Sequence, residues 1–135
     1  MKDSVVIKVR SDPKYLSLVR SVTAKVGGLC GLSESTTEDI KLAVDEACSN
    51  VIKHAYGGDT HQSILVKYRM TKKGFEVLIE DSGVKVQPDS IEGRDLEDIR
   101  PGGLGVHLIK RAFDFYQFDQ RKRRGNRLKL VSFKK

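Results

Sequence analysis

Only two cysteines occur among the 135 residues. Cys30 and Cys48 are too few for a disulfide framework and lack the paired spacing of a zinc site. Both are expected to be ordinary small residues in a reduced cytosol. Long apolar runs are missing too. The opening segment MKDSVVIKVR has no apolar stretch of signal-peptide length, and charges interrupt every apolar run. The expectation is no secretory signal, no transmembrane helix and a cytoplasmic location. No internal repeat, low-complexity segment or interdomain linker is visible, so residues 1–135 are expected to form one domain. No aromatic residue interleaves with the basic run Arg121–Arg124. That disfavours a stacking surface for single strands, and with it direct nucleic-acid binding.

What is present describes a globular chain, with 39% hydrophobic and 32% charged residues. Twenty-five Lys and Arg against 18 Asp and Glu leave a net charge of +7, crowded toward the C-terminal end. Such a balance suits nucleic acid, an anionic membrane, acidic protein partners or a phosphorylated ligand.

The most informative stretch is Leu42 to His54, LAVDEACSNVIKH. Ile40, Val44, Ala47, Val51 and Ala55 recur at helical steps of three and four and predict an amphipathic helix ending near Tyr56, before Gly57 and Gly58. Glu46 and Asn50 are four apart, so they share one stripe, which His54 continues. Asn is a mediocre residue inside a helix because its amide competes for backbone hydrogen bonds. A carboxylate with an amide oxygen one turn later suits Mg²⁺, a hard cation that takes oxygen ligands and shares them with phosphates and water. The competing reading is a solvated polar face.

Around this helix the chain alternates elements. Val5, Ile7 and Val9 predict a strand with one buried face. Pro13 opens a helix with Tyr15, Leu18, Val19, Val22 and Val26 on its apolar stripe and Gly27–Gly28 at its end. Strands follow at Ile64–Arg69 and Phe75–Asp81, and a hairpin at 115–121 and 126–133 turns at Arg124–Gly125. Asp81 continues the face carrying Phe75, Val77 and Ile79, where a carboxylate is costly unless paired. Gly83 then allows a close approach or a positive φ. Val84–Pro101 has no period and reads as a lid. Gly102-Gly103-Leu104-Gly105 opens a helix whose N-terminus suits an anion. Glu46 with Asn50, Asp81 with Gly83, and the glycine turn therefore point to one nucleotide pocket. Asp81 would accept from an adenine amine, glycines would hold phosphates, and Glu46 would act as a base.

ExxxN, DxG and GGLG in this order resemble the N, G1 and G2 boxes of the GHKL ATPase superfamily, which has the Bergerat fold. The strings DEACSNVIKHAYGG and RPGGLGVHLIKRAFD resemble a narrower branch, the bacterial anti-sigma regulatory factors with serine/threonine protein kinase activity. The resemblance covers about Val5 to Phe133. It implies an α+β fold, a two-layer sandwich with helices on one face of a mixed, mostly antiparallel sheet. It implies ATP and Mg²⁺ as ligands, with Glu46 as catalytic base and Asn50 as the Mg²⁺ ligand. Asp81 and Gly83 match the adenine site. Gly103 and Gly105, with Leu104 between them, match the phosphate loop, and Arg100 matches an arginine near the terminal phosphate. The family's Thr near the start of the last strand is replaced here by Asn126 and Arg127. Implied partners are a sigma factor and a small anti-anti-sigma antagonist, with the chain itself a homodimer. The alternative is an ATP-binding partner-switching module with little or no catalysis, against which Glu46 argues.

Overall fold

The computed structural model describes residues 4–85, 103–119 and 124–133, with the backbone alone for residues 103–106. Strand β1 is Ser4–Arg10. Asp12 then caps a 3₁₀ turn at Pro13–Tyr15, accepting from the Lys14 N–H at 3.1 Å. Helix α1, Leu16–Leu29, follows directly. Its buried residues are Leu16, Val19, Thr23, Val26 and Gly27, whereas Leu18, expected on the apolar stripe, is exposed. The helix also runs through the two glycines expected to end it. It closes at Gly31 with the paired bonds Leu32 N–H to Gly27 O and Gly31 N–H to Gly28 O. Gly27 instead lies against Thr37, letting α1 approach the next helix.

That helix, α2, is Glu34–Asn50, capped by Ser33 Oγ accepting from Thr36 N–H. It continues as a π-helical turn, Val51–Ala55, not as the uninterrupted helix expected. Strands β2, Ser63–Met70, and β3, Gly74–Asp81, come next, then helix α3, Gly103–Ala112, and strands β4, Phe115–Phe118, and β5, Asn126–Phe133.

The sheet order is β1-β2-β3-β5-β4 and every ladder is antiparallel. The expected two-layer α+β architecture is found. The parallel component of the expected mixed sheet does not occur among the described strands. Strand parity decides the core. Ile64, Val66 and Tyr68 of β2, Phe75, Val77 and Ile79 of β3, and Leu128 and Leu130 of β5 bury one face beneath the helices. From the helices, Val19, Val26, Ile40, Val44 and Ala47 complete the same core. Truncating Ile40, 1% exposed, to Ala would cost about 2–5 kcal/mol, a large share of a domain's typical stability. The opposite face carries charges in a cross-strand ladder. Arg69 Nε meets Glu76 Oε2 at 2.7 Å, and Arg127 bridges Glu80 and Asp119.

Both α1 and α3 pack on α2. Arg20 Nη1 on α1 reaches Asp45 Oδ1 at 2.7 Å, and Arg111 Nε on α3 lies 3.5 Å from Asp39 Oδ1. Helix α2 is thereby fixed as the central element of its layer. Both cysteines are free thiols, and burial pushes Cys48 up to about 12, as expected of an inert core residue. Among the described residues no helix is long and apolar enough to cross a membrane.

Candidate functional site

Glu46 and Asn50 occupy the last turn of α2, four residues apart on one stripe. Both are half-buried. Loss of hydration raises the Glu46 carboxyl above the usual carboxylate range, and Asp45 adds to this. Lys53 and His54 oppose it. Asn50 Oδ1 is buried, and among the described residues no hydrogen bond reaches it. A buried acceptor without a donor costs about 1–3 kcal/mol. Asp45 points elsewhere, committed to Arg20. His54, expected to extend the stripe, is exposed on the π turn.

The π turn also ties this helix to the Asp81 segment. Its wider winding sends Tyr56 N–H to Val51 O, five residues back. The Ala55 carbonyl, one of the orphan acceptors at a helix end, receives Val84 N–H at 2.8 Å. Gly83 lies against the same carbonyl so closely that an added Cβ would stand 2.3 Å from Ala55 O. Close approach, not positive φ, is therefore what Gly83 provides. Tyr56 OH donates to Ser63 O at 2.5 Å and accepts from Ser82 N–H at 2.8 Å. Burial raises the Tyr56 phenol above its ordinary range, with Asp81 adding to the rise, while the Ser82 hydrogen bond opposes it.

Asp81 ends β3 on the helix-covered face, 4% exposed, and pairs in register with Asn126. Its Oδ1 accepts from Gly83 N–H at 2.9 Å, and Asn126 Nδ2 donates to both of its oxygens at 3.0 and 3.1 Å. Gly125, at φ +70°, presses on Asp81 O, where an added Cβ would stand only 2.0 Å away. A cavity of about 290 Å³ opens beside Tyr56, Asp81 and Ser82, and Lys8, Leu65 and Glu80 also line it. These latter residues lie on the sheet face opposite the Asp81 side chain.

A buried carboxylate and an amide oxygen without a donor among the described residues thus lie on segments joined by the π turn. Residues 9–132 match the histidine kinase-like ATPase domain family. The chain belongs to that family. Serine-protein kinases RsbW are among the relatives of this histidine kinase-like ATPase domain. The protein from Listeria innocua is 32% identical over 84% of this chain and 78% of its own. The one from Bacillus subtilis is 27% identical over 83% and 75%. The branch read from the motifs, that of the anti-sigma serine kinases, is thus borne out. The histidine kinase domain of the blue-light activated histidine kinase EL346 from Erythrobacter litoralis has the same fold, with a TM-score of 0.55 at 15% identity. That match covers 93% of this chain and 62% of the other, so the present chain spans under two thirds of that protein.

Within the ATPase domain, the π turn that follows Glu46 and Asn50 packs on the segment just after Asp81, at Gly83 and Val84. Gly103, Leu104 and Gly105 open α3, which packs on α2. Arg100 and all but the first two residues of the expected lid lie outside the described residues. Three participants were not singled out from sequence for this site: Tyr56, Gly125 and the Asp81-fixing role of Asn126. Asn126 had a signal, because it shares parity with Leu128 and Leu130 and so puts an amide on an apolar face. Gly125 read only as a turn residue, and Tyr56 only as a helix end.

Proposed function

We propose that this chain is a serine/threonine protein kinase of the anti-sigma type. It transfers the terminal phosphate of Mg·ATP to a small anti-anti-sigma protein and, in the other branch of its cycle, sequesters a sigma factor. One observation carries the reading. Asn50 Oδ1 is buried and unpartnered among the described residues, one helical turn from Glu46. An amide oxygen fits Mg²⁺, which takes few protein ligands and fills the remainder with phosphate oxygens and water. The described residues hold no cluster of three His, Cys, Asp or Glu that would serve a metal fully caged by protein. Asn50 would hold the ion, which when bound neutralises phosphate charge.

The other roles follow from position. Asp81 would accept from the exocyclic amine of adenine, with Gly83 keeping the backbone close. The backbone of Gly103, Leu104 and Gly105 would face the phosphates at a helix N-terminus, and the family resemblance adds Arg100 to them. Glu46 would take the proton of the substrate hydroxyl as its oxygen bonds to the terminal phosphorus and ADP leaves. Its raised carboxyl supports that task, since a base works best near the operating pH. A cytoplasmic homodimer is the assembly this reading carries.

Glu46→Gln keeps shape and removes the base. Radiolabelled transfer to the antagonist should fall about 10²–10⁴-fold while calorimetric Mg·ATP binding persists. An active Glu46→Gln protein would remove Glu46 as the base. Wild-type protein that binds ATP and never phosphorylates the antagonist would establish the partner-switching module instead.

A further inference from the structure

We propose that Asn126 is the positioning residue for purine recognition, setting the plane of the Asp81 carboxylate before nucleotide arrives. The inference rests on the reading of Asp81 as the adenine acceptor. Asn126 is 5% exposed and opposes Asp81 at the first pair of the β3–β5 ladder. Its Nδ2 lies 3.0 and 3.1 Å from the two Asp81 oxygens and 2.9 Å from Val84 O. Three acceptors around one nitrogen identify that atom as nitrogen, because the flipped amide would face oxygen with oxygen. An amide nitrogen has two hydrogens. One serves the Val84 carbonyl, and the other is shared across the carboxylate.

This arrangement constrains two things at once. The carboxylate cannot rotate without losing a donor, and the chain leaving β3 is tied at Val84 to the strand across from it. Gly125, pressed onto Asp81 O, leaves the backbone no slack. A carboxylate so held presents acceptors in a fixed direction. Facing the six-position of a purine, it favours the amine that adenine has there over the carbonyl oxygen that guanine has there. Asn126 touches Asp81 and Val84, and it acts on nucleotide through them.

The test is calorimetry of the full chain with Mg·ATP and Mg·GTP, using Asn126→Ala, Asn126→Asp and Asp81→Ala, each checked for folding by circular dichroism. At pH 7.5 both Asn126 variants should bind Mg·ATP at least about tenfold more weakly, and the preference for ATP over GTP should shrink. Asn126→Asp opposes two carboxylates, and at pH 5.5 a shared proton restores a donor. Its affinity relative to wild type should therefore recover on acidification, whereas that of Asn126→Ala should not. Unchanged affinity and selectivity in both Asn126 variants, with loss in Asp81→Ala, would overturn the inference and leave the adenine reading standing. Equal weakening toward ATP and GTP would reduce Asn126 to a structural residue and also overturn it. Asp81→Ala with unchanged affinity and selectivity would remove the adenine reading itself. Should Asn126→Ala not fold, Asn126→Ser, which keeps one donor, is judged against wild type by the same selectivity ratio.

Discussion

Glu46 carries opposing demands. Burial makes its charged form unfavourable, so its folded carboxyl titrates above the unfolded value of about 4.3. By linkage, stability from this group is present below the unfolded value and is lost as pH rises through the folded one. Glu46→Gln should therefore raise the unfolding temperature of the nucleotide-free protein at pH 7.5, with the gain shrinking on acidification toward pH 4. A melt series across that range checks the sign, and a gain that grows on acidification would contradict it. In the proposed role of base, the same shift would set the activity profile. A base must be deprotonated, so phosphoryl transfer should decline at a pH above the ordinary carboxylate range. Asp45 follows different logic. Its pairing with Arg20 anchors α1 to α2, and Asp45→Asn should leave transfer largely intact.

The π turn after α2 is the element that joins the two halves of the site. At its end the Ala55 carbonyl accepts from Val84 N–H, and Gly83 packs against the same atom. Glycine substitutions read this directly. Gly125→Ala puts a side chain at φ +70° and against Asp81 O, costing at least about 1–2 kcal/mol for the left-handed backbone alone. It should weaken Mg·ATP binding as well. Gly83→Ala drives a Cβ into Ala55 O and should also lower both stability and affinity. Gly28→Ala is the contrast. It lies inside α1 with nothing within 4 Å of an added Cβ, and should stabilise by about 0.4–1 kcal/mol. Chemical unfolding of the three variants gives the ranking, and a destabilised Gly28→Ala would break it.

At the scale of the whole molecule, ligand binding and folding are one equilibrium. Nucleotide that binds only the native chain stabilises it by about 2.7 kcal/mol at a hundredfold excess over Kd. For a domain of this size that is roughly 10 °C in unfolding temperature. The shift should largely vanish when EDTA removes magnesium, and should be reduced in Asn50→Ala even with magnesium present. An equal shift with and without the metal would exclude Asn50 as its ligand. The net charge of +7 acts over longer distances. Association with an acidic protein partner should slow as salt rises, with smaller change in dissociation.

Much of this is legible in the amino-acid sequence. Parity along β2, β3 and β5 separates core from surface because strand side chains alternate strictly, and the Glu46–Asn50 spacing needs only the helical repeat. Asp81 stood out as a carboxylate on an apolar face. Other features depend on contacts between residues far apart in the chain. The orphaned Asn50 oxygen, the Arg20–Asp45 pair and the seat of Gly83 on Ala55 exist only once helices and sheet have packed. Leu18 fits the helical period yet faces outward, while Thr23 is buried because its hydroxyl bonds Val19 O and Tyr68 OH. Local periodicity cannot foresee that a polar side chain will find partners in the core. The π turn likewise has a tertiary partner, since the carbonyl at its end accepts from Val84, almost thirty residues later. Asn126 joins the two levels. Its parity was written in the chain, but its bond to Asp81 follows from the β3–β5 register, which pairs residues 45 apart.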